Sequence, residues 1–330
     1  MDESPAPWPR RVVVLAGGLS HERDVSLQSG RRVGELLRHQ GVDVQILDVG
    51  ADLLDNLHSD PPDCVIPMLH GETGENGALR EVLGLVDLPY VGALPPACRL
   101  AFDKPVAKSL VARTGVRTPR SMALPAETFR ELGAAAVMTA MLARIGLPLV
   151  VKPARGGSAL GCTVVRAADD LPAAMVASFA YDGVALVEEL IAGTEVAVTV
   201  LADPNPRALP PVEIRPDGGA YDYAARYTAG ATEFVVPAEI SARAEAACAR
   251  AAVTAHETLG LRHLSRSDLM VDADDEVWFL EVNVAPGLTE TSLVPLAVEA
   301  AGLNLGAVYA GLAAAAMRSR IDMSTKPPVD

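Results

Sequence analysis

The chain has 330 residues, a net charge of -14, 50% hydrophobic residues and only 4% aromatics. An acidic balance with no Lys/Arg run excludes an ordinary nucleic-acid-binding face, and no apolar stretch is long enough to span a bilayer. The length fits two or three compact units around a shared cleft, with cores of Leu, Val, Ile and Ala.

The start, M-D-E-S-P-A-P-W-P-R, lacks a signal-peptide core and reads as a frayed tail, as does Met323 to Asp330. Cys64, Cys98, Cys162 and Cys248 are scattered without C-x-x-C spacing. They read as reduced core residues, which predicts a cytosolic compartment. Arg11 to Ala16 is a short buried strand, and Gly17-Gly18-Leu19-Ser20 a turn. A helix is expected from about Val25 to Arg38, and strands at Val42 to Leu47 and Cys64 to Ile66. This rhythm predicts a parallel α/β sheet, whose ligands sit beyond the carboxyl ends of the strands. His21-Glu22-Arg23-Asp24 lies at such an end. It is either a solvated helix cap or a site where Glu22 holds an ammonium group. The third strand runs into His70-Gly71-Glu72-Thr73-Gly74-Glu75-Asn76-Gly77, whose glycines allow close backbone approach to a ligand. His70 there is a structural or a ligand-facing histidine. A helix at Ala78 to Leu85 and a strand at Leu88 to Gly92 follow, and the first unit ends near Pro95-Pro96.

Asp103 caps a helix running to about Arg113. Ala126 to Ile145 is helical in propensity, with Gly133 inside it. A strand then delivers Lys152 into Ala154-Arg155-Gly156-Gly157-Ser158-Ala159-Leu160-Gly161, and a second strand returns at Thr163 to Val165. Glycines free backbone N–H groups for phosphate oxygens and a lysine adds the point charge; the other reading is a long hairpin. There is no Walker loop, since no G-K-[ST] is present and a strand follows. Val184 to Leu190 and Glu195 to Leu201 are strands around Ile191-Ala192-Gly193-Thr194, a junction suited to an adenine ring, with Glu195 within reach of ribose hydroxyls.

Pro211 to Ile214 is a strand, and Arg215 to Pro237 reads as a long polar lid loop holding three of the six Tyr residues. An amphipathic helix is expected from Ile240 to Leu259. Ser267 to Val271 and Val277 to Val284 form a hairpin. If it turns on Asp274, position 268 faces position 280 and Asp268 stands beside Glu281. Glu281 and Asn283, i and i+2 on a strand, share a face. These oxygen donors are either a solvated strand end or the seat of a hard cation such as Mg²⁺. Helices at Leu293 to Ala301 and Leu305 to Arg318 close the chain.

The motifs G-G-L-S-H-E-R-D-V-S-L, L-H-G-E-T-G-E-N-G, F-D-K, V-K-P-A-R-G-G-S-A-L-G, Y-D-Y-A-A-R-Y and L-E-V-N-V-A-P-G-L-T-E-T-S-L-V-P occur in that order. Together they resemble the D-alanine–D-alanine ligases of the ATP-grasp superfamily, collinear from about Val12 to Ala316. The resemblance implies an α/β ATP-grasp fold. Residues 1–96 would form an N-terminal parallel α/β substrate domain, 97–190 a small central α+β domain, and 191–330 a C-terminal α+β domain with lid and metal site. It implies ATP and two Mg²⁺ (or Mn²⁺) as cofactors, D-amino acids as substrates, and a homodimer. The implied product is D-alanyl-D-alanine for peptidoglycan, made through an acyl phosphate. A relative using D-serine, D-lactate or another acceptor is the alternative.

By matching position, Lys104, Lys152 and Arg226 would bind ATP phosphates, Glu188, Glu189 and Ile191 the adenine, and Glu195 the ribose. Asp268, Glu281 and Asn283 would hold metal. Arg266 and the Gly287 amide would stabilise the tetrahedral intermediate. Glu22, Ser158 and Tyr227 would orient the first amino group. His70 would line the first amino-acid site, and Ser292 and Leu293 would hold the second carboxylate. The chain departs from the family's pattern at Arg226 (usually Lys), at Val284 in Asn283 to Gly287 (usually Thr), at Ala159 (often Ser) and at Glu189 (commonly Lys).

Overall fold

The structure, a computed structural model, describes residues 8–217 and 230–324, with side chains through residue 319. Three sheets carry the fold. The first contains β1 (Arg11–Leu15), β2 (Asp43–Leu47) and β3 (Cys64–Pro67), in the order β2-β1-β3 and all parallel. Its central strand is apolar and buried from Val12 to Leu15 because both faces are covered, as parallel sheets require. Val13 and Leu15 meet Leu53, Leu57, Leu79 and Leu83 on one side. Val12 and Val14 meet Val33 and Leu37 of the helix Arg23–His39 on the other. That second side is completed from the far end of the chain. Tyr309, Ala310 and Ala313 of the helix Leu305–Ser324 enter the same core.

The second sheet orders β4 (Ser121–Pro125), β5 (Leu149–Pro153), β6 (Thr163–Val165) and β7 (Val184–Glu189) as β4-β7-β5-β6, antiparallel throughout. Leu149, Val151 and Val165 pack against helices that contribute Met141, Ile145, Leu171 and Met175. The alternate residues Val150 and Lys152 therefore face the other way, into a cleft.

The third sheet holds β8 (Thr194–Ala202), β9 (Pro206–Ala208), β10 (Val212–Pro216), β11 (Thr232–Val235), β12 (His263–Val271) and β13 (Val277–Asn283). The path is β11-β10-β8-β12-β13, with β9 on β8. The helix Ala242–Thr258 covers Val196, Val198, Leu269 and Phe279. Its start is capped by Ser241, whose hydroxyl accepts from the Ala244 amide. The sheet's other face, through Ala197, Leu201, Val212 and Ile214, shares one core with the first sheet.

Several expectations need correction. The helix foreseen over 126–145 is two, Ala126–Leu132 and Ala134–Ile145, parted by Gly133 at φ 85°, a conformation no helix interior accepts. The strand foreseen at 88–92 is a single parallel bridge between Val65 and Tyr90. The Pro95-Pro96 pair, near which the first unit was expected to end, starts a helix that was not foreseen, Pro95–Phe102, the proline geometry suiting the first helical turn. The loop foreseen from 215 to 237 is strand at both ends, Glu213 to Pro216 pairing with Thr232 to Val235; the remainder, 218–229, lies outside the described residues. The strands β4 and β9 and the helices Leu53–Ser59 and Leu171–Phe179 were not foreseen.

Candidate active site

The second and third sheets face each other across a cleft of about 930 Å³. Lys104, Lys152, Gly156 and Gly157 line one wall, residues 188–195 the back, and Asp268, Met270 and Glu281 the other wall. The residues expected to hold metal come from β12 and β13. Leu269 pairs with Phe279, as a turn centred on Asp274 requires, but Asp268 pairs with Glu281 rather than with position 280. Leu280 is the extra residue of a β-bulge. The bulge brings the two carboxylate-bearing residues directly opposite one another, where regular pairing would offset them.

Arg266 lies under this pair. Its Nε and Nη2 donate to the two oxygens of Asp268 at 2.7 and 2.8 Å, a bidentate bond between two buried groups. Glu281 receives Lys104 Nζ at 3.4 Å, and the same Nζ donates to the Gly156 carbonyl at 2.6 Å. Lys104 therefore ties the glycine loop to the acidic strand. Asn283 Oδ1 accepts from the Ala285 amide at 2.9 Å. Among the described residues no three His, Cys, Asp or Glu side chains gather as a metal set. The foreseen third donor, Asn283, is an amide outside those residue types.

Lys152 donates to Glu188, and so does Lys108, each to a different carboxylate oxygen. Glu188 is buried, and burial works against its charge, but Lys152 and Lys108 outweigh that and hold its pKa below the ordinary carboxylate value. Burial likewise opposes the charge of Lys152, yet Glu188 and Glu281 hold its pKa above the usual lysine value. Glu189 points elsewhere: its carboxylate takes Arg120 Nε at 2.7 Å and the Arg120 amide at 2.8 Å. Ile191 and Glu195 line the cleft.

At the glycine loop the Ser158 hydroxyl donates to Glu22, which is itself buried at the start of the helix Arg23–His39. A side chain at Gly157 would sit 3.5 Å from the Glu22 carboxylate and 3.7 Å from that of Glu75, so the two acids converge on one bare backbone position. Burial first, then the neighbouring Glu22, pushes Glu75 up to about 7. Glu75 also accepts from the Gly71 amide at 2.9 Å.

His70 is buried with both ring nitrogens engaged. Nδ1 meets the Ala285 carbonyl at 2.9 Å and Nε2 the Ser29 hydroxyl at 3.2 Å. A carbonyl only accepts, so Nδ1 carries the proton, and burial keeps the ring neutral by lowering its pKa. Ser29 in turn accepts from the Leu288 amide at 3.1 Å. His70 thus ties the loop after the first sheet's third strand to the loop after Asn283. Gly287 lies beside Ser292, the cap of the helix Leu293–Ala300; Ser292 shares a hydrogen bond with Thr289 at 2.8 Å. The Leu293 side chain belongs to the shared core, which leaves only its backbone for a ligand. Arg226 and Tyr227 lie outside the described residues.

Sequence reasoning missed Glu75 and Lys108. Lys108 had a signal: it stands four residues after Lys104, on the buried side of the helix Lys104–Ala112. A lysine placed there needs a carboxylate partner.

A family model described as D-ala D-ala ligase C-terminus matches residues 110–312. A D-alanine–D-alanine ligase from Pseudomonas fluorescens (strain Pf0-1) is 39% identical over 307 residues, 93% of this chain and 91% of that protein. One from Pelotomaculum thermopropionicum is 37% identical over 294 residues, 89% of this chain and 92% of that protein. Among solved structures, the D-alanine–D-alanine ligase from Bacillus anthracis complexed with ATP superposes with a TM-score of 0.79 at 25% identity, covering 95% of this chain and 99% of that one. The VanG D-Ala:D-Ser ligase from Enterococcus faecalis gives 0.76 at 29% identity, with 94% and 99% covered.

Proposed function

The chain belongs to the D-alanine–D-alanine ligase family, and from that premise we propose that it joins two molecules of D-alanine at the expense of ATP, supplying a peptidoglycan precursor. The observation that carries this reading is one cleft with lysines on one wall, carboxylates on the other, and the Ser158–Glu22 pair at the glycine loop.

Each residue has a task that its position allows. Lys104 and Lys152 neutralise phosphate oxygens. The backbone of residues 188–191 meets the adenine, and Glu195 the ribose. Glu22 holds the ammonium of the first D-alanine, with Ser158 fixing its carboxylate. The first D-alanine's carboxylate oxygen then attacks the γ-phosphorus, and ADP leaves. The amine of the second D-alanine, having lost a proton, attacks the acyl carbon. The acyl C–O bond breaks and phosphate leaves with its electron pair. Arg266, clamped by Asp268, faces the charge that builds on the tetrahedral oxygen, together with the Gly287 amide. The Ser292 end of the helix Leu293–Ala300 receives the second carboxylate.

The directly opposed Asp268 and Glu281, hard oxygen donors on the cleft wall, fit Mg²⁺. With Asn283 they would hold two ions, which supply charge neutralisation along the phosphate chain. The three sheets support a division into units of 1–96, 97–190 and 191–330, with the last helix returning to the first unit. A homodimer in the cytoplasm completes the reading; no helix among the described residues is, by itself, long and apolar enough to cross a membrane.

The test is phosphate release with ATP, Mg²⁺ and a panel of D-alanine, D-serine, D-lactate and L-alanine, with mass spectrometry of the products. D-Alanyl-D-alanine as the main product is expected. A mixed product with D-serine or an ester with D-lactate as the faster reaction would reassign the acceptor.

A further inference from the structure

We propose that Lys108 governs how readily Lys152 can leave Glu188 for a phosphate group, so that a residue outside the cleft sets nucleotide affinity. This rests on the nucleotide reading above. Lys108 is 3% exposed and is not among the residues lining the cleft, whereas Lys152 and Glu188 are. It reaches Glu188 from behind, through the helix Lys104–Ala112, and takes the carboxylate oxygen that Lys152 does not.

The arrangement has a consequence for binding. Lys152 starts as a partner of Glu188, and any phosphate that recruits it competes with that carboxylate. Were Lys152 the sole partner, its departure would strand a buried carboxylate, a cost of several kcal/mol in real proteins. Lys108 remains on the other oxygen and lowers that cost, so Lys152 is free to exchange one anion for another. Burial depresses the Lys108 pKa against the attraction of Glu188, the acid it bonds, and the weaker pull of Glu281. A purely structural ion pair would instead lower stability without distinguishing ligands that carry phosphate from those that do not.

Lys108→Met in the full chain tests this, with Lys108→Met/Glu188→Gln as its complement. Calorimetry with ADP, ATP and adenosine gives the affinities, and steady-state rates give KM for ATP and for D-alanine. Expected for Lys108→Met is a loss of about tenfold in ADP and ATP affinity, the worth of one charged hydrogen bond. Adenosine affinity and KM for D-alanine should stay within about twofold. The double variant, with no carboxylate to strand, should recover ADP affinity to within about threefold of wild type. Unchanged ADP affinity in a folded Lys108→Met, a parallel loss for adenosine, or no recovery in the double variant would overturn the proposal. Should Lys108→Met not fold, the double variant decides alone: near wild-type ADP affinity supports the proposal and a tenfold loss overturns it. A wild-type chain that binds no nucleotide would overturn the nucleotide reading itself, a failure seen before any variant is made.

Discussion

Ser158 donates its hydroxyl to Glu22 across 136 residues of chain, from a backbone held at φ 53°. The next residue, Ala159, stands at φ 56°. Two successive side-chain-bearing residues in the left-handed region cost about 1 kcal/mol or more each, and they sit where the glycine loop turns toward Glu22. We expect Ser158→Gly to leave stability within about 1 kcal/mol of wild type, the relief of the left-handed backbone offset by the lost bond to buried Glu22, while lowering kcat/KM for D-alanine by about a hundredfold. Nucleotide affinity should stay within about twofold. Denaturant midpoints and steady-state rates check both halves. A variant of unchanged activity would remove Ser158 from the site.

Asp268 and Glu281 support a second expectation. If they hold Mg²⁺, Asp268→Asn and Glu281→Gln should each lower Mg²⁺-dependent ATP turnover by at least about a hundredfold. Glu281→Gln, lying in the less buried strand, should keep a wild-type melting profile. Asp268→Asn should also melt earlier, by about 3 kcal/mol, because the buried Arg266 loses its bidentate partner. Wild-type turnover in well-folded Glu281→Gln would sink the metal assignment.

The elements that carry the motifs were legible in the sequence: the strand into Lys152, the glycine loop and the last hairpin all follow from short local patterns. What was hidden is longer in range. The bulge at Leu280 carries no residue signal, since Val277 to Leu280 are apolar without a break, yet it decides which residue faces Asp268. Lys108, four residues after Lys104, shares a helix face with it by spacing, but only the fold reveals that this face is buried against Glu188. Glu75 reads as one more polar loop residue until Glu22 is brought beside it. The helix Leu305–Ser324 advertised an apolar surface, but periodicity does not say that the first sheet, 290 residues earlier by rough count, is what covers it.

Two buried histidines besides His70 make the fold sensitive to acid. His263 Nδ1 accepts from the Gly92 amide at 2.9 Å, and His256 Nδ1 shares a hydrogen bond with Ser265 at 2.8 Å. Burial lowers His263 to about 3 and His256 to about 4, from an ordinary 6.5. Below pH 6.5 the unfolded chain takes up protons that the folded chain refuses, so stability falls as pH falls toward those values. The slope is about 1.4 kcal/mol per pH unit for each ring at most. His263 also stands at φ 66°, which asparagine tolerates. His263→Asn keeps an acceptor for Gly92 and removes one titration. Urea unfolding at pH 7.5 and pH 5 should show a flatter pH dependence in this variant; an identical slope would show that His263 is not the group responsible.

The turn behind the cleft offers a test of packing against a built-in control. A side chain at Gly193 would lie 2.0 Å from the Val271 carbonyl oxygen, a backbone atom at the end of β12, where that strand pairs with both β8 and β13 and cannot move aside cheaply. Gly183, one residue before β7, would meet nothing within 4 Å. Neither glycine is held at positive φ, so backbone strain does not separate them and steric contact does. Gly193→Ala must push the 191–194 turn away from β12, at about 2 kcal/mol or more. Because that turn lines the cleft, nucleotide affinity should fall by about tenfold with it. Gly183→Ala should be neutral or stabilising by about 0.5 kcal/mol, through the restricted unfolded chain, with unchanged nucleotide affinity. Equal effects of the two substitutions on stability and on ADP binding would mean that the close approach of Gly193 to Val271 does not position the turn.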